Sequence, residues 1–301
     1  MAQQNSLSFP QKVSRTWQQL LIGRPLATAD APHQTIGKAI GLAVFASDAL
    51  SSSAYSTQEM LIILVAAGTT YFGYTIPLTL TIMVLLTILT LSYEQTIHAY
   101  PGGGGAYIVA RDNLGHLPAE IAAAALLMDY ILTVSVSISS GVAQITSMFP
   151  ALYGWRVWIG VVLIGMIMIM NLRGVKESGR AFSIPTYYFI LMMIITIVVG
   201  LIRSLTGTLG TVIDPPHDLL PSVAQPLTLF LVIKAFASGT SAVTGVEAIS
   251  NGVTAFKEPR SKNAGQTLIW MSVILGFLLI GVAALSLLVG AMPSEEETIF
   301  S

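Results

Sequence analysis

The sequence predicts an all-helical, multi-pass membrane protein whose first and sixth spans are interrupted. Three observations carry that class. Hydrophobic residues make up 53% of the 301 and charged residues only 10%, against about 25% charged in a soluble domain, so the chain lacks the charge to cover a water-facing surface. The mean hydropathy is +0.74. Apolar runs long enough to cross a bilayer recur at 36–67, 74–100, 118–148, 155–172, 184–203, 226–255 and 266–292; about 20 helical residues span the hydrocarbon core. The runs are continuous, whereas the strands of a membrane β-barrel alternate in polarity over about ten residues.

This composition excludes a soluble cytosolic enzyme and a disordered tail. With a net charge of −1, it also lacks the basic excess of a nucleic-acid binder. The absence of cysteine excludes a disulfide scaffold, a Cys-ligated zinc site and an iron–sulfur cluster. His33, His98, His116 and His217 form no metal-ligand spacing. Neither an enzyme nor a resident cofactor or metal is expected.

Taken in order, residues 1–35 have no signal-peptide core. They are read as a cytoplasmic N-terminal segment, in which Val13, Trp17, Leu20 and Leu21 share one helical face. That stripe suits either a short helix on the inner leaflet or a tail with a chance pattern. Residues 36–292 form the transmembrane region. The second, third and sixth runs are long enough to tilt. Residues 293–301, with Glu295, Glu296 and Glu297, form an extracellular end. The orientation rests on the basic residues. With a cytoplasmic N-terminus, Lys12, Arg15, Arg24, Lys38, Arg111, Arg173, Lys176, Arg180, Lys257, Arg260 and Lys262 lie inside, and only Arg156 and Arg203 lie outside. The glycine run Gly102–Gly105 lacks the Gly-Lys-Ser/Thr ending and preceding strand of a phosphate loop; close backbone packing on the cytoplasmic side is expected instead.

Ionisable residues at membrane depth are functional candidates. Asp48, Asp129 and Glu247 are the deep acids, and Lys234 is the one deep base. Glu59, Glu94 and Glu120 lie nearer span ends, where they are read as reaching headgroups. In the first span Asp48, Ser51, Ser52, Ser53 and Tyr55 sit between apolar halves. This suits a broken helix whose freed backbone lines a cavity; the alternative is an intact buried helix whose serines bond back one turn. In the sixth span, two glycines and four hydroxyl residues weaken the helix over 238–245, with Thr240, Thr244 and Glu247 on one helical face. Asp129, Thr133 and Ser137 share a face of the third. A hydroxyl stripe alone signals tight helix packing, but a carboxylate on the same stripe points to a polar site. Interrupted spans five apart are the mark of an inverted-repeat transporter. The expected breaks lie near 48–53 and 239–245, and Phe45-Ala46-Ser47 recurs as Phe236-Ala237-Ser238 before the second.

The runs FASDALSSSAYS (45–56), SYEQTIHAYPGGGGAYIVARDNLG (92–115), NLRGVKESG (171–179) and TGVEAISNGV (244–253) resemble the APC superfamily of amino-acid, polyamine and cation permeases. More narrowly they resemble the KimA-type branch of the KUP potassium-uptake family, over 36–292. The resemblance implies a LeuT-type fold of two inverted five-helix repeats. This chain would hold seven transmembrane helices of it: one repeat and two helices of the second, without the last helices and the cytoplasmic nucleotide-sensing domain. As such a piece it is expected not to transport alone. The resemblance further implies proton-coupled potassium import across the plasma membrane, with K+ and H+ as the transported species and a homodimer as the assembly. Its cation residues would be Asp48, Tyr55, Thr133, Ser137, Thr244 and Glu247, supported by Asp129 and Tyr130. Glu247 would couple the proton, because two carboxylates beside one cation repel each other.

Other readings stand beside this one. An amino-acid or amine permease is the main alternative. In amino-acid permeases of this fold the broken first helix offers backbone N–H groups to a substrate carboxylate; Asp48 at the break repels that group and attracts a cation, though a basic amine also suits it. A seven-helix receptor runs from an outside N-terminus, against the charge bias, and 266–292 lacks a lysine for retinal. An intramembrane aspartyl protease would pair Asp48 with Asp129 but needs a Gly-x-Gly-Asp motif that the chain does not have.

Overall fold

The computed structural model describes residues 34–212, 226–294 and 299. The N-terminal stripe around Trp17 and the acidic run 295–297 lie outside the described residues, as do His33 and His217. Among the described residues the regular elements are helical, apart from one isolated parallel bridge between Ile36 and Phe256.

The first apolar run folds as three pieces: α1 (Lys38–Phe45), α2 (Ser47–Ser52) and α3 (Ser56–Val65). A 3-10 turn (Thr69–Tyr74) leads into α4 (Thr75–Ala99). Then follow α5 (Gly105–Leu114), α6 (His116–Met148), a 3-10 turn (Pro150–Trp155), α7 (Arg156–Leu172) and α8 (Val175–Leu205). The sixth run begins as α9 (Leu229–Gly239), tightens to a 3-10 turn (Thr240–Val243), and resumes only as the single turn α10 (Ala248–Asn251). A further 3-10 turn (Val253–Ala255) precedes α11 (Arg260–Val289).

Five segments are continuous, long and apolar enough to cross a membrane: Thr69–Ala99, His116–Met148, Pro150–Leu172, Lys176–Leu205 and Arg260–Val289. A 30-residue helix is about 45 Å long at 1.5 Å per residue, longer than the hydrocarbon core of about 30 Å. The two remaining runs of the expected seven are the interrupted ones. Three boundaries differ from expectation. The NLRGVKESG stretch is no loop: only Arg173 and Gly174 lie outside helix, Gly174 at φ 102°, and α8 starts nine residues before the fifth apolar run, its first turns being charged. Gly105 opens α5, a helix that hydropathy alone does not reveal because its mid-section carries Arg111 and Asp112. The break in the first run flanks Asp48 instead of containing it.

α11 is the centre of the packing. It lies against α4, α1 and α8, and Leu268, Met271, Leu275, Leu278 and Val282 are buried along it. Glycines set how closely its neighbours approach. A Cβ on Gly281 would fall 2.6 Å from Ile197 of α8, and one on Gly200 would fall 2.6 Å from Leu285. Small residues at such crossings let apolar helices pack without a hydrophobic driving force between them. α6 and α7, by contrast, expose Ile121, Leu127, Ile131, Val157, Val161 and Met168, the surface suited to hydrocarbon or other helices.

The two interrupted runs are tied at one end. Ile36 N–H donates to the Ala255 carbonyl and Lys257 N–H to the Ile36 carbonyl, each at 2.9 Å. The rings of Phe45 and Phe256 stack at 5.5 Å. Gly41 and Gly252 face those rings with no room for a side chain.

Candidate functional site

Between Ser53 and Tyr55 the first run tightens. The amides of Ser53, Ala54 and Tyr55 bond three residues back, to Leu50, Ser51 and Ser52. The serine hydroxyls also turn onto their own backbone: Ser51 and Ser52 donate to the Asp48 carbonyl (2.9 and 3.1 Å) and Ser53 to the Leu50 carbonyl (2.6 Å). Interruption and back-bonding, set against each other as alternatives, occur together. The serines use their protons to hold the bend and leave oxygen lone pairs as their outward chemistry.

In the sixth run the backbone leaves helical geometry at two residues. Thr244 is extended (ψ 146°) and Gly245 takes φ +81°. The left-handed region is costly for any residue with a Cβ. Space demands glycine too, since a Cβ here would lie 2.7 Å from Asp48 Oδ2. The Asp48 carboxylate therefore rests on the peptide backbone at the break of the sixth run. This break also corrects the expected alignment of Thr240, Thr244 and Glu247. They do not share one helical face, because no helix runs through them.

Ser137 on α6 carries a buried hydroxyl within interaction range of the Asp48 carboxylate, short of hydrogen-bond geometry. Asp48, Asp129 and Glu247 lie within electrostatic range of one another. Glu247 is 7% exposed; its carboxylate meets the amides of Gly245 and of Glu247 itself, and Oε1 has no hydrogen-bond partner among the described residues. Thr133 is buried on α6 and Tyr55 beside α2. The Tyr55 hydroxyl bonds Ser52 Oγ (2.8 Å), and Thr244 Oγ1 donates to the Ser241 carbonyl (2.8 Å). Lys234 is exposed on α9, and none of the ion pairs among the described residues involves the three acids.

Two side chains in this cluster escape sequence reasoning. Tyr93 on α4 lies within range of Glu247, Asp129 and Tyr130. Asn251, the last residue of α10, donates from Nδ2 to the Tyr130 hydroxyl, while its Oδ1 is buried without a partner. The glycine loop explains why Asn251 stays in place. Gly103, Gly104 and Gly105 have φ of 75°, 95° and 44°, and Gly104 N–H donates to the Asn251 carbonyl (3.2 Å). A Cβ on Gly105 would overlap Asn251 Oδ1. Close packing, not phosphate binding, is what this loop does.

The lining is mostly oxygen, from three carboxylates, several hydroxyls and backbone carbonyls, with the Asn251 amide and the Gly245 and Glu247 N–H groups beside them and, among the described residues, no lysine or arginine. Buried acceptors without donors are rare in folded proteins. Three carboxylates close together at membrane depth call for a cation or protons to balance them.

The amino acid permease family model matches residues 35–299. The chain belongs to that family. Over 283 residues it is also 47% identical to the potassium transporter KimA of Bacillus subtilis. The alignment covers 93% of this chain and 46% of the relative, so the chain spans about half the length of the curated relative it matches. Family membership accords with the all-helical fold and its strongly apolar continuous helices. It marks the chain as membrane-embedded.

Proposed function

We propose that this chain belongs to a proton-coupled potassium importer of the plasma membrane. Its architecture would be the LeuT-type inverted repeat with seven crossings and a cytoplasmic N-terminus. The observation that carries the reading is the Asp48 carboxylate lodged against Gly245, in an oxygen-rich setting with no basic side chain among the described residues. A potassium ion is bound by replacing its hydration shell with such oxygens. The name of the Bacillus relative supports the choice of ion, and the clustering of Arg111, Arg173, Lys176, Arg180, Lys257, Arg260 and Lys262 at alternate helix ends supports the orientation.

Roles follow from chemistry. Asp48 supplies the fixed charge. Tyr55, Thr133, Ser137 and Thr244 supply neutral oxygens, and their protons, where bonded to carbonyls or hydroxyls, are already turned away from the ion. Glu247 exchanges the coupling proton, because three neighbouring carboxylates at membrane depth cannot all stay charged at low cost. Asp129, Tyr130 and Tyr93 tune that exchange. An amine substrate is the second reading, since the family model is described for amino acids and Asp48 would also attract an ammonium group.

The test is rubidium uptake, with and without a pH gradient, by the complete reading frame that carries this sequence in a potassium-uptake-deficient strain. Asp48→Asn should abolish uptake, and Glu247→Gln should leave uptake that no longer follows the gradient. Unchanged uptake in Asp48→Asn overturns the assignment, and stimulation by an amine in place of rubidium selects the second reading.

A further inference from the structure

A cavity of about 400 Å³ lies between α3 and α6; Tyr55, Gln58, Glu59, Ser135, Ser139 and Ser140 line it together with the apolar Val136 and Ala143. Tyr55 belongs both to this cavity and to the Asp48 site. Gln58 and Glu59 follow Tyr55 along α3, Ser139 and Ser140 follow Ser137 along α6, and Ser135 lies just before it, so most of the polar wall runs from the level of the site toward the helix ends at Val65 and Met148.

Depth decides between a headgroup-seeking glutamate and a lining one. Glu59 lies six residues before the end of α3, about 9 Å at 1.5 Å per residue, and its exposed side chain lines the cavity. Ser135, Ser139 and Ser140 lie deeper still below the end of α6. Ser135 donates its proton to the Ile131 carbonyl (2.8 Å) and Gln58 Oε1 accepts the Ile299 N–H (3.3 Å). Glu59 is the one carboxylate of the wall. No ion pair among the described residues takes it up. At about 30 Å³ per water, the volume admits an ion with most of its hydration shell.

We infer that this cavity is an outer station for a hydrated monovalent cation. Glu59 is its fixed charge, the serine hydroxyls are its second-layer oxygens, and Tyr55 is the passage to Asp48. The inference rests on the cation-transport reading above. A charge at a recessed mouth raises the local concentration of counter-ion without binding it dry, so its signature is capture at low potassium and not turnover.

The chain has no cysteine, which makes a direct test available. Membranes bearing Ser139→Cys, or Ser140→Cys if the first does not fold, are treated with a cationic and an anionic methanethiosulfonate reagent of similar size. With each rate normalised to that reagent's rate with a free thiol in solution, the cationic reagent should be favoured about fivefold, Glu59→Gln should bring the two normalised rates together, and potassium should slow the cationic reaction only when Glu59 is intact. In parallel, Glu59→Gln in the complete reading frame should raise the KM for rubidium about fivefold with Vmax retained. Equal normalised rates with Glu59 intact, or no reaction with either reagent, overturn the station. A cationic preference that potassium does not relieve overturns its ligand. These results are separable from a failure of the transport reading, which shows instead as full rubidium uptake in Asp48→Asn.

Discussion

Replacing Gly245 with alanine tests the contact on which the site is built. The added Cβ would lie 2.7 Å from Asp48 Oδ2 and 3.2 Å from its Cβ and Cγ, while ordinary contact begins near 3.4 Å. The carboxylate must therefore retreat by about 0.7 Å. At an effective dielectric of about 20, moving a unit charge from about 3.0 to about 3.7 Å from a cation loses about 1 kcal/mol. That is about a fivefold rise in the KM for rubidium. Separately, φ of +81° imposes about 1–3 kcal/mol of backbone strain on alanine, which falls on stability and not on the ion. The assay pairs rubidium uptake kinetics with thermal unfolding in detergent. Gly165→Ala in α7 is the control, since its Cβ would meet nothing within 4 Å and alanine is favoured in a helix interior by about 0.5–1 kcal/mol. An unchanged KM in Gly245→Ala, with the control also unchanged, would refute the placement of Asp48 against the break.

Gly105→Ala should displace Asn251 and lower both thermal stability and uptake, because its Cβ would occupy the position of Asn251 Oδ1; normal stability by thermal unfolding would show that the loop does not hold α10. Gly281→Val should force α11 away from Ile197 and lower stability by about 1–3 kcal/mol, read as earlier aggregation on heating in detergent. Tyr187→Phe removes a 2.7 Å hydrogen bond to the Ala39 carbonyl and should cost only about 0.6 kcal/mol, so a large loss of stability would mean that this bond does more than pin α8 to α1.

The helical class and the locations of both interruptions are readable in the sequence because hydropathy and polar content report directly on them. The breaks' internal geometry is not. Ser51, Ser52 and Ser53 leave a broken helix and back-bonding open as alternatives in the sequence; that both occur together depends on local tightening. The facial alignment of Thr240, Thr244 and Glu247 presumes a continuous helix and fails where Thr244 extends. Tyr93 escapes notice because its neighbour Glu94 reads as a span-end acid and draws no attention to the ring beside it. Its partners come from other helices, and pairing across helices leaves no periodic signal. Asn251 is hidden for a related reason. Its role depends on Gly103–Gly105, and only the fold brings that run to it. The sequence signal for either is its place inside the runs 92–115 and 244–253 that carry the family resemblance.

The pairing of Ile36 with Ala255 and Lys257, reinforced by the Phe45–Phe256 stack, has a mechanical consequence. It rivets the start of the first interrupted segment to the tail of the sixth, so those two ends travel as one lever. Whatever swings one swings the other. Relative motion between the arms must then be taken up beyond the rivet, where Gly245 provides the slack in one arm and the three-residue turn at Ser53–Tyr55 provides it in the other. Asp48 lies between these two compliant points, so any stroke of the lever changes the enclosure of its carboxylate first.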